Sequence, residues 1–261
     1  MIPMPPLSSR QFTLATDLDG TFLGGTDRDR ETLYDWIESN RESIGLIFVT
    51  GRDPEFVLHM CAEKGLPWPD IVVGDVGTTI ARMHRADRRV EPMDTLEREI
   101  AHRWRNRGEL VREALEGHPG LTLQPTPFRY RVSYDLNPDA FDPCAVGKVD
   151  ALGLDSLISD NRFFDVLPRG VSKGPSLRRL VAHLAIPEDR VLAAGDTLND
   201  LSMLVCGLKA VAVGNSEDGL IRSVPGLEQV HKARAHGAAG IMEAIAAFEL
   251  HDIPERNAHA I

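Results

Sequence analysis

Three short apolar runs that stop dead at polar residues restrict this chain more than any other feature. Phe12-Thr-Leu-Ala-Thr16 ends at Asp17, Ile44-Gly-Leu-Ile-Phe-Val49 ends at Thr50-Gly51, and Val191-Leu-Ala-Ala-Gly195 ends at Asp196. Continuous apolar runs of this length read as strands buried on both faces, the condition of a parallel sheet covered by helices. Helical patterns lie between them. Leu33, Trp36 and Ile37 recur at helical spacing over 32–39, and Pro54 opens a segment with Phe56, Val57, Met60 and Cys61 on one face. Leu177, Leu180, Val181 and Leu184 form an i, i+3, i+4, i+7 stripe over 172–185. Ile71-Val-Val73 and Val211-Ala-Val213 add strands, and 237–249 reads as a closing helix. Strands alternating with helices predict an α/β fold with a Rossmann-like parallel sheet.

The texture changes near position 82. Residues 81–135 hold eleven Arg, no Lys and nine acids, although the whole chain carries a net charge of −10. One long helix is predicted over 94–116. A period-2 strand follows, in which Phe128, Tyr130, Val132, Tyr134 and Leu136 alternate with Arg129, Arg131, Ser133 and Asp135. That alternation means one packed face and one polar face, as in an antiparallel sheet. A helix over 139–152 and a strand over 163–167 complete the segment. The expected organisation is a discontinuous core, 1–81 and 168–261, with an α+β domain inserted at 82–167.

Composition excludes several classes. The acidic balance has the wrong sign for a protein living on nucleic acid or anionic lipid. No apolar run approaches the ~18 residues of a membrane helix, and 1–10 has no hydrophobic stretch of the kind a signal peptide carries. Cys61, Cys144 and Cys206 lie far apart and are odd in number, which fits a reducing cytoplasm better than a disulfide framework. The nine His are dispersed without metal-ligand spacing. There is neither a GxSxG nucleophile nor a P-loop.

Chemistry concentrates at the strand ends: Asp17-Leu-Asp-Gly-Thr21, Thr50-Gly-Arg52 and Gly195-Asp-Thr-Leu-Asn-Asp200. In an open parallel sheet, ligands bind beyond the carboxyl ends of the strands, so these clusters should converge. Asp17, Asp19, Asp196 and Asp200 packed together would repel one another without a cation, and an oxygen-rich shell suits Mg²⁺. Asp17-Leu-Asp-Gly alone also reads as a turn. Three clusters in order, plus Lys173 ahead of a helix, outweigh that reading.

Together these stretches resemble the haloacid-dehalogenase-like superfamily. Asp17-Leu-Asp-Gly-Thr21 matches its first motif, Thr50 the second, Lys173 the third, and Gly195-Asp196 with Asn199-Asp200 the fourth. The resemblance implies a phosphoaspartyl mechanism. Asp17 would be the nucleophile and Asp19 the general acid and base. Asp17, Asp19 (through its carbonyl), Asp196 and Asp200 would hold Mg²⁺, with Thr21, Gly51, Arg52 and Asn199 in support. Thr50 and Lys173 would hold the transferring phosphoryl oxygens. Asp19 argues for phosphate-ester cleavage, because a halide leaving group needs no acid.

Thr50 and Lys173 stand 123 positions apart, room for the inserted segment to serve as a cap of type C2. Asp70-Ile-Val-Val-Gly-Asp-Val-Gly-Thr-Thr-Ile80, Tyr130-Arg-Val-Ser-Tyr134 and Asp165-Val-Leu-Pro-Arg-Gly-Val-Ser-Lys-Gly174 narrow the resemblance to the sucrose-phosphate-phosphatase-like and Cof-like branch. It implies a sugar-phosphate phosphatase, for a phosphorylated disaccharide or a glycosyl-glycerate, acting as a monomer or homodimer. A broad-specificity phosphatase for small metabolites is the alternative, and an idle binding module is disfavoured by the intact acidic set. Arg129 and Arg131 on the polar strand face, with Asp75, Gly77 and Thr78 after a core strand, are the expected substrate contacts. A solvated outer face and a simple hinge turn are the competing readings of those positions.

Overall fold

A computed structural model describes residues 4–253 apart from 225 and 227. The first half contains β1 (Phe12–Thr16), α1 (Asp27–Ser39), β2 (Ile44–Val49), α2 (Pro54–Lys64), β3 (Ile71–Gly74), β4 (Thr79–His84) and β5 (Arg89–Pro92). Then come α3 (Asp94–Trp104), α4 (Gly108–Ala114), β6 (Leu121–Leu123), β7 (Val132–Leu136), α5 (Cys144–Ala151), β8 (Leu154–Ser159) and β9 (Phe163–Pro168). The chain continues through α6 (Lys173–His183), β10 (Val191–Gly195), α7 (Leu201–Leu204), β11 (Lys209–Ala212), α8 (Asp218–Ser223), β12 (Val230–Lys232) and α9 (Gly237–Ala247).

Eight strands form one sheet in the order β12-β11-β10-β1-β2-β3-β4-β5. Neighbours from β12 to β3 are parallel, and β4 and β5 add on antiparallel. Successive side chains point to opposite faces of a strand, so each strand feeds two apolar layers. Phe12, Leu14 and Phe48 pack with α1, α2 and α9, whereas Ala15, Ile47 and Val49 pack with α3, α6 and α7. Burial of each large apolar side chain contributes about 1.5–3 kcal/mol. Local chemistry sets the helix starts. Thr26 and Asp29 close a capping box on α1; Asp53 caps α2, which begins at Pro54 and ends at Gly65 in the left-handed conformation.

A second, antiparallel sheet runs β6-β7-β9-β8. Val132, Tyr134, Phe164 and Val166 on one face pack with Val111 of α4 and Ala145 and Val149 of α5. Ser133 and Asp165, paired across β7 and β9, lie on the other.

The structure departs from the sequence reading at several elements. The first sheet extends past position 81, because β4 and β5 hydrogen-bond to it and α3 buries Leu96 and Ile100 against it. The helix expected over 94–116 is two, broken where Arg105 (φ 52°) and Asn106 (φ 57°) turn left-handed. The strand expected from 128 begins only at Val132. Pro125 and Pro127, just before it, have no N–H to offer a ladder. The helix expected from 139 starts at Cys144, since Pro143 disfavours a helical Asp142. The strand β8 was not foreseen. Positions 1–3 and 254–261 of the expected core lie outside the described residues.

Candidate active site

β1, β2 and β10 are neighbours in the parallel part of the sheet, so Asp17, Thr50 and Asp196 emerge at one edge. After Asp17 the chain makes a tight turn over Leu18–Phe22, with Gly20 at φ +79°. A Cβ on Gly20 would stand 2.1 Å from Asp196 Oδ2, so only glycine lets this turn pass over that carboxylate. Thr21 Oγ1 donates to Asp196 Oδ1 at 2.6 Å. Asn215 holds the turn from outside, its Nδ2 donating to the Gly20 carbonyl at 2.9 Å.

Lys173, the first residue of α6, is 1% exposed and donates to Asp17 Oδ1 (2.7 Å), Asn199 Oδ1 (2.8 Å) and Asp200 Oδ1 (2.6 Å). Its three N–H bonds are thus committed, and none is left for a phosphoryl oxygen in this arrangement. In this arrangement Lys173 holds and neutralises Asp17. Asp200 Oδ2 accepts from the backbone N–H groups of Asp196 and Thr197 at 3.0 and 3.1 Å, so Asp200 braces the loop that presents Asp196.

Carboxylate oxygens of Asp17, Asp196 and Asp200 lie within 4.8 Å of one another, all buried. Three carboxylates against one ammonium would leave an excess of negative charge when all are ionised, which either a proton or a bound cation relieves. Burial pushes the Asp17 carboxyl up to about 8, with Asp200 and Asp196 adding to the rise and Lys173 opposing it. Burial likewise lifts Asp196 to about 7 against the Thr21 hydrogen bond. Lys173 is raised because Asp17 and Asp200 outweigh its own burial. Hard oxygen donors short of positive charge fit a small divalent cation such as Mg²⁺. Another group, His118, Asp142 and Cys144, also brings potential ligand atoms within 4.8 Å. There Lys148 Nζ lies 3.5 Å from His118 Nδ1, and that ammonium opposes a metal ion.

Asp19 points away from this cluster, its side chain 62% exposed and gripped by Arg52, Nε to Oδ2 at 2.9 Å and Nη2 to Oδ1 at 3.0 Å. Thr50 Oγ1 accepts from the Arg52 backbone N–H at 3.2 Å. Asp17, Asp19, Thr50, Gly51, Arg52 and Lys173 line one side of a cavity of about 380 Å³. Gln124, Arg131, Ser159, Phe163 and Asp165 line it from the second sheet and its loops. Arg131 is buried and bridges both sheets. Its Nη1 donates to Asp165 (3.4 Å), its Nη2 to the Gly51 carbonyl (3.3 Å) and Asp75 (3.5 Å), and its guanidinium lies 3.6 Å from the Phe128 ring centroid. Burial raises Asp75 and Asp165 and lowers Arg131 from their ordinary values, while the ion pairs among them work the other way. The Arg131 Nε is buried without a partner.

The other expected substrate contacts fall elsewhere. Arg129 leaves the cavity to pair with Glu97 at 2.9 Å, because residues 128–131 do not alternate as a strand. Gly77, at φ +97°, packs its backbone against Ser172 beside Lys173, and Thr78 donates to the Asp75 carbonyl. Asp75 is held by Thr79 and Arg131. Val76 lines the cavity instead, in a left-handed conformation (φ +59°) rare for a β-branched residue. Gln124, Ser159 and Asp165 also line the cavity, and no sequence motif marks Gln124 or Ser159. Asp165 alone carried a signal, a charge inside the apolar run Phe163-Phe-Asp-Val-Leu167.

A family model described as sucrose-6F-phosphate phosphohydrolase matches residues 10–249. The chain belongs to the sucrose-6F-phosphate phosphohydrolase family. Sucrose-phosphate phosphohydrolases are haloacid-dehalogenase-like hydrolases of phosphate monoesters. The structure of the sucrose-phosphatase from Synechocystis sp. PCC6803, in complex with sucrose and phosphate, superposes with a TM-score of 0.81 at 25% identity, over 92% of this chain and 98% of that one. The mannosylfructose-phosphate phosphatase of Agrobacterium fabrum is 27% identical over 89% of this chain and 94% of its own length. The glucosylglycerol-phosphate synthase of Pseudomonas anguilliseptica is 42% identical over 90% of this chain, which spans only 30% of that protein. Among the described residues no helix is long and apolar enough to cross a membrane.

Proposed function

We propose that this chain is a Mg²⁺-dependent phosphatase for a phosphorylated glycoside, a sugar joined to a second sugar or a small polyol, and that it works in the cytoplasm through a phosphoaspartyl intermediate. The observation that carries the reading is the buried Asp17–Lys173–Asp200–Asp196 cluster opening onto a cavity that the second sheet completes. The glycosides named for these relatives support the substrate class, since sucrose, mannosylfructose and glucosylglycerol all carry several hydroxyls.

Asp17 attacks phosphorus, and the bond from phosphorus to the sugar oxygen breaks as Asp19 gives that oxygen a proton. A water then gives its proton back to Asp19 and attacks the Asp17-bound phosphorus, releasing phosphate and restoring the Asp17 carboxylate. Arg52 keeps Asp19 at the cavity mouth and occupies both of its carboxylate oxygens, so the Asp19 carboxyl turns off Arg52 to give or take that proton. Lys173 fixes the Asp17 carboxylate by its shared oxygen. Asp17 and Asp196 would hold Mg²⁺, with Asp200 behind them, and the ion would offset charge on the phosphoryl oxygens. The second sheet acts as the cap, with Arg131, Gln124, Ser159 and Asp165 presenting donors and acceptors to sugar hydroxyls.

Phosphate release from a panel of sucrose 6-phosphate, mannosylfructose phosphate, glucosylglycerol phosphate and glucose 6-phosphate tests the substrate class. One glycoside phosphate should exceed glucose 6-phosphate in kcat/KM by roughly a hundredfold, the size of effect that several satisfied hydroxyls produce. A flat profile would instead favour a broad-specificity phosphatase.

A further inference from the structure

The arginine-rich, lysine-free stretch of the sequence finds no use in the proposed chemistry. Several of its side chains gather around a different cleft of about 710 Å³, lined by Arg98, Glu99, Arg103, Arg105, Arg107 and Arg169. It lies where the chain passes between the two sheets, at the end of α3 on the way out and at the β9–α6 connection on the way back. The left-handed Arg105 and Asn106 turn the backbone there. Arg107 rests against Gly153, where a Cβ would stand only 3.1 Å from its Nη1.

The charge in this cleft is not balanced. Arg103 and Arg179 share the single carboxylate of Glu99, at 3.1 and 3.0 Å. Arg169 pairs outward with Asp150 and Asp155. Arg98, Arg105 and Arg107 face no carboxylate among the described residues, and Arg107 donates only to the Leu152 carbonyl. Arg179 Nη1, behind the cleft, is buried without a partner. Burial, and next the neighbouring Arg103, pull Arg179 below its ordinary range. The negative end of α3 accounts for a cation or two near Arg103, but not for a ring of guanidinium groups drawn from three segments. Guanidinium is also the group that binds phosphate oxygens in a planar, two-pronged fashion, which a lysine would not do.

We propose that this cleft is an anion site, separate from the catalytic cavity, that takes a small ligand bearing a diphosphate group. Three unopposed guanidinium charges match the charge of a diphosphate, and the volume admits a ligand of nucleotide size. Free diphosphates and nucleoside diphosphates share this chemistry.

Calorimetric titration of the whole chain in EDTA, where the catalytic carboxylates repel anions, tests the site. The probes are methylenediphosphonate, which a phosphatase cannot hydrolyse, and ADP. Methylenediphosphonate should bind in the micromolar range, and the Arg98→Ala/Arg105→Ala variant should weaken it about tenfold or more. p-Nitrophenyl phosphate turnover with Mg²⁺ should stay within about twofold in the same variant, since both side chains are exposed and remote from Asp17. Tighter binding of ADP would identify a nucleotide ligand, and equal binding a site for diphosphate alone. Absence of binding at millimolar probe, or an unchanged Kd in the double variant, would overturn the proposal.

Discussion

Asp19 and Arg131 are the residues whose surroundings make the sharpest demands. The Asp19 side chain is exposed at the cavity mouth and held by two hydrogen bonds from Arg52, and the proposed mechanism makes it the acid for the leaving oxygen. Asp19→Ala should therefore lower kcat about 10²–10⁴-fold for a sugar phosphate, whose alkoxide must be protonated. The loss for p-nitrophenyl phosphate should be much smaller, because its phenolate leaves unaided, at least in the first step. Single-turnover rates with both substrates check this, and equal losses would remove Asp19 from the acid role. Arg131, an expected substrate contact, lines the cavity but is itself buried between Asp75, Asp165 and the Gly51 carbonyl. Arg131→Ala strands two buried carboxylates and should cost about 3 kcal/mol of stability in thermal unfolding. It should also raise KM for the glycoside phosphate about tenfold while leaving p-nitrophenyl phosphate turnover within a few-fold. If turnover of both esters collapses at a temperature where the variant is folded, Arg131 belongs with Asp17 and Lys173.

Among the elements, the first turn after β1 concentrates the most constraint. Gly20 combines a positive φ with a backbone path that grazes the Asp196 carboxylate. Gly20→Ala should push Asp196 or the Asp17 loop aside and reduce kcat at least about a hundredfold, since a displacement of about 1 Å at a reacting centre costs that much. Its far-ultraviolet circular dichroism should stay native, and near-normal activity would show that the turn yields without moving the carboxylates. The strands that deliver the chemistry were legible because β1, β2 and β10 are apolar throughout and end at Asp17, Thr50 and Asp196. β5 was not legible, because Arg89-Val-Glu-Pro92 is an edge strand whose polar residues face solvent. The long helix over 94–116 failed for a different reason. Its apolar spacing continues through Arg105 and Asn106, and only backbone conformation, not pattern, breaks it there. Alternation over 128–136 concealed that strand pairing begins only at Val132.

For the whole molecule, the buried carboxylate cluster sets the proposed function against stability. The Asp196 carboxyl titrates near 7 when folded and near 3.8 when free. The folded, metal-free protein therefore holds a proton that the unfolded chain has already released. The resulting stabilisation is complete below about pH 4 and is lost as pH rises through about 7. Asp196→Asn keeps an oxygen for Thr21 to bond and removes the titration. In EDTA it should be more stable than the unaltered chain by about 1–2 kcal/mol near pH 8, with the gap closing toward pH 5. Mg²⁺ should stabilise the unaltered chain and not the variant, and thermal melts across pH would expose a gap of the wrong sign. Covalent transfer to Asp17 is tested most directly by mixing the protein with its fastest substrate and Mg²⁺, quenching in acid within milliseconds, and mapping peptides by mass spectrometry. A phosphoryl group should appear on the peptide that carries Asp17, decay as phosphate is released, and be missing in Asp17→Asn. Full phosphate release with no labelled peptide at any time, or an Asp17→Asn variant that turns over normally, would contradict it.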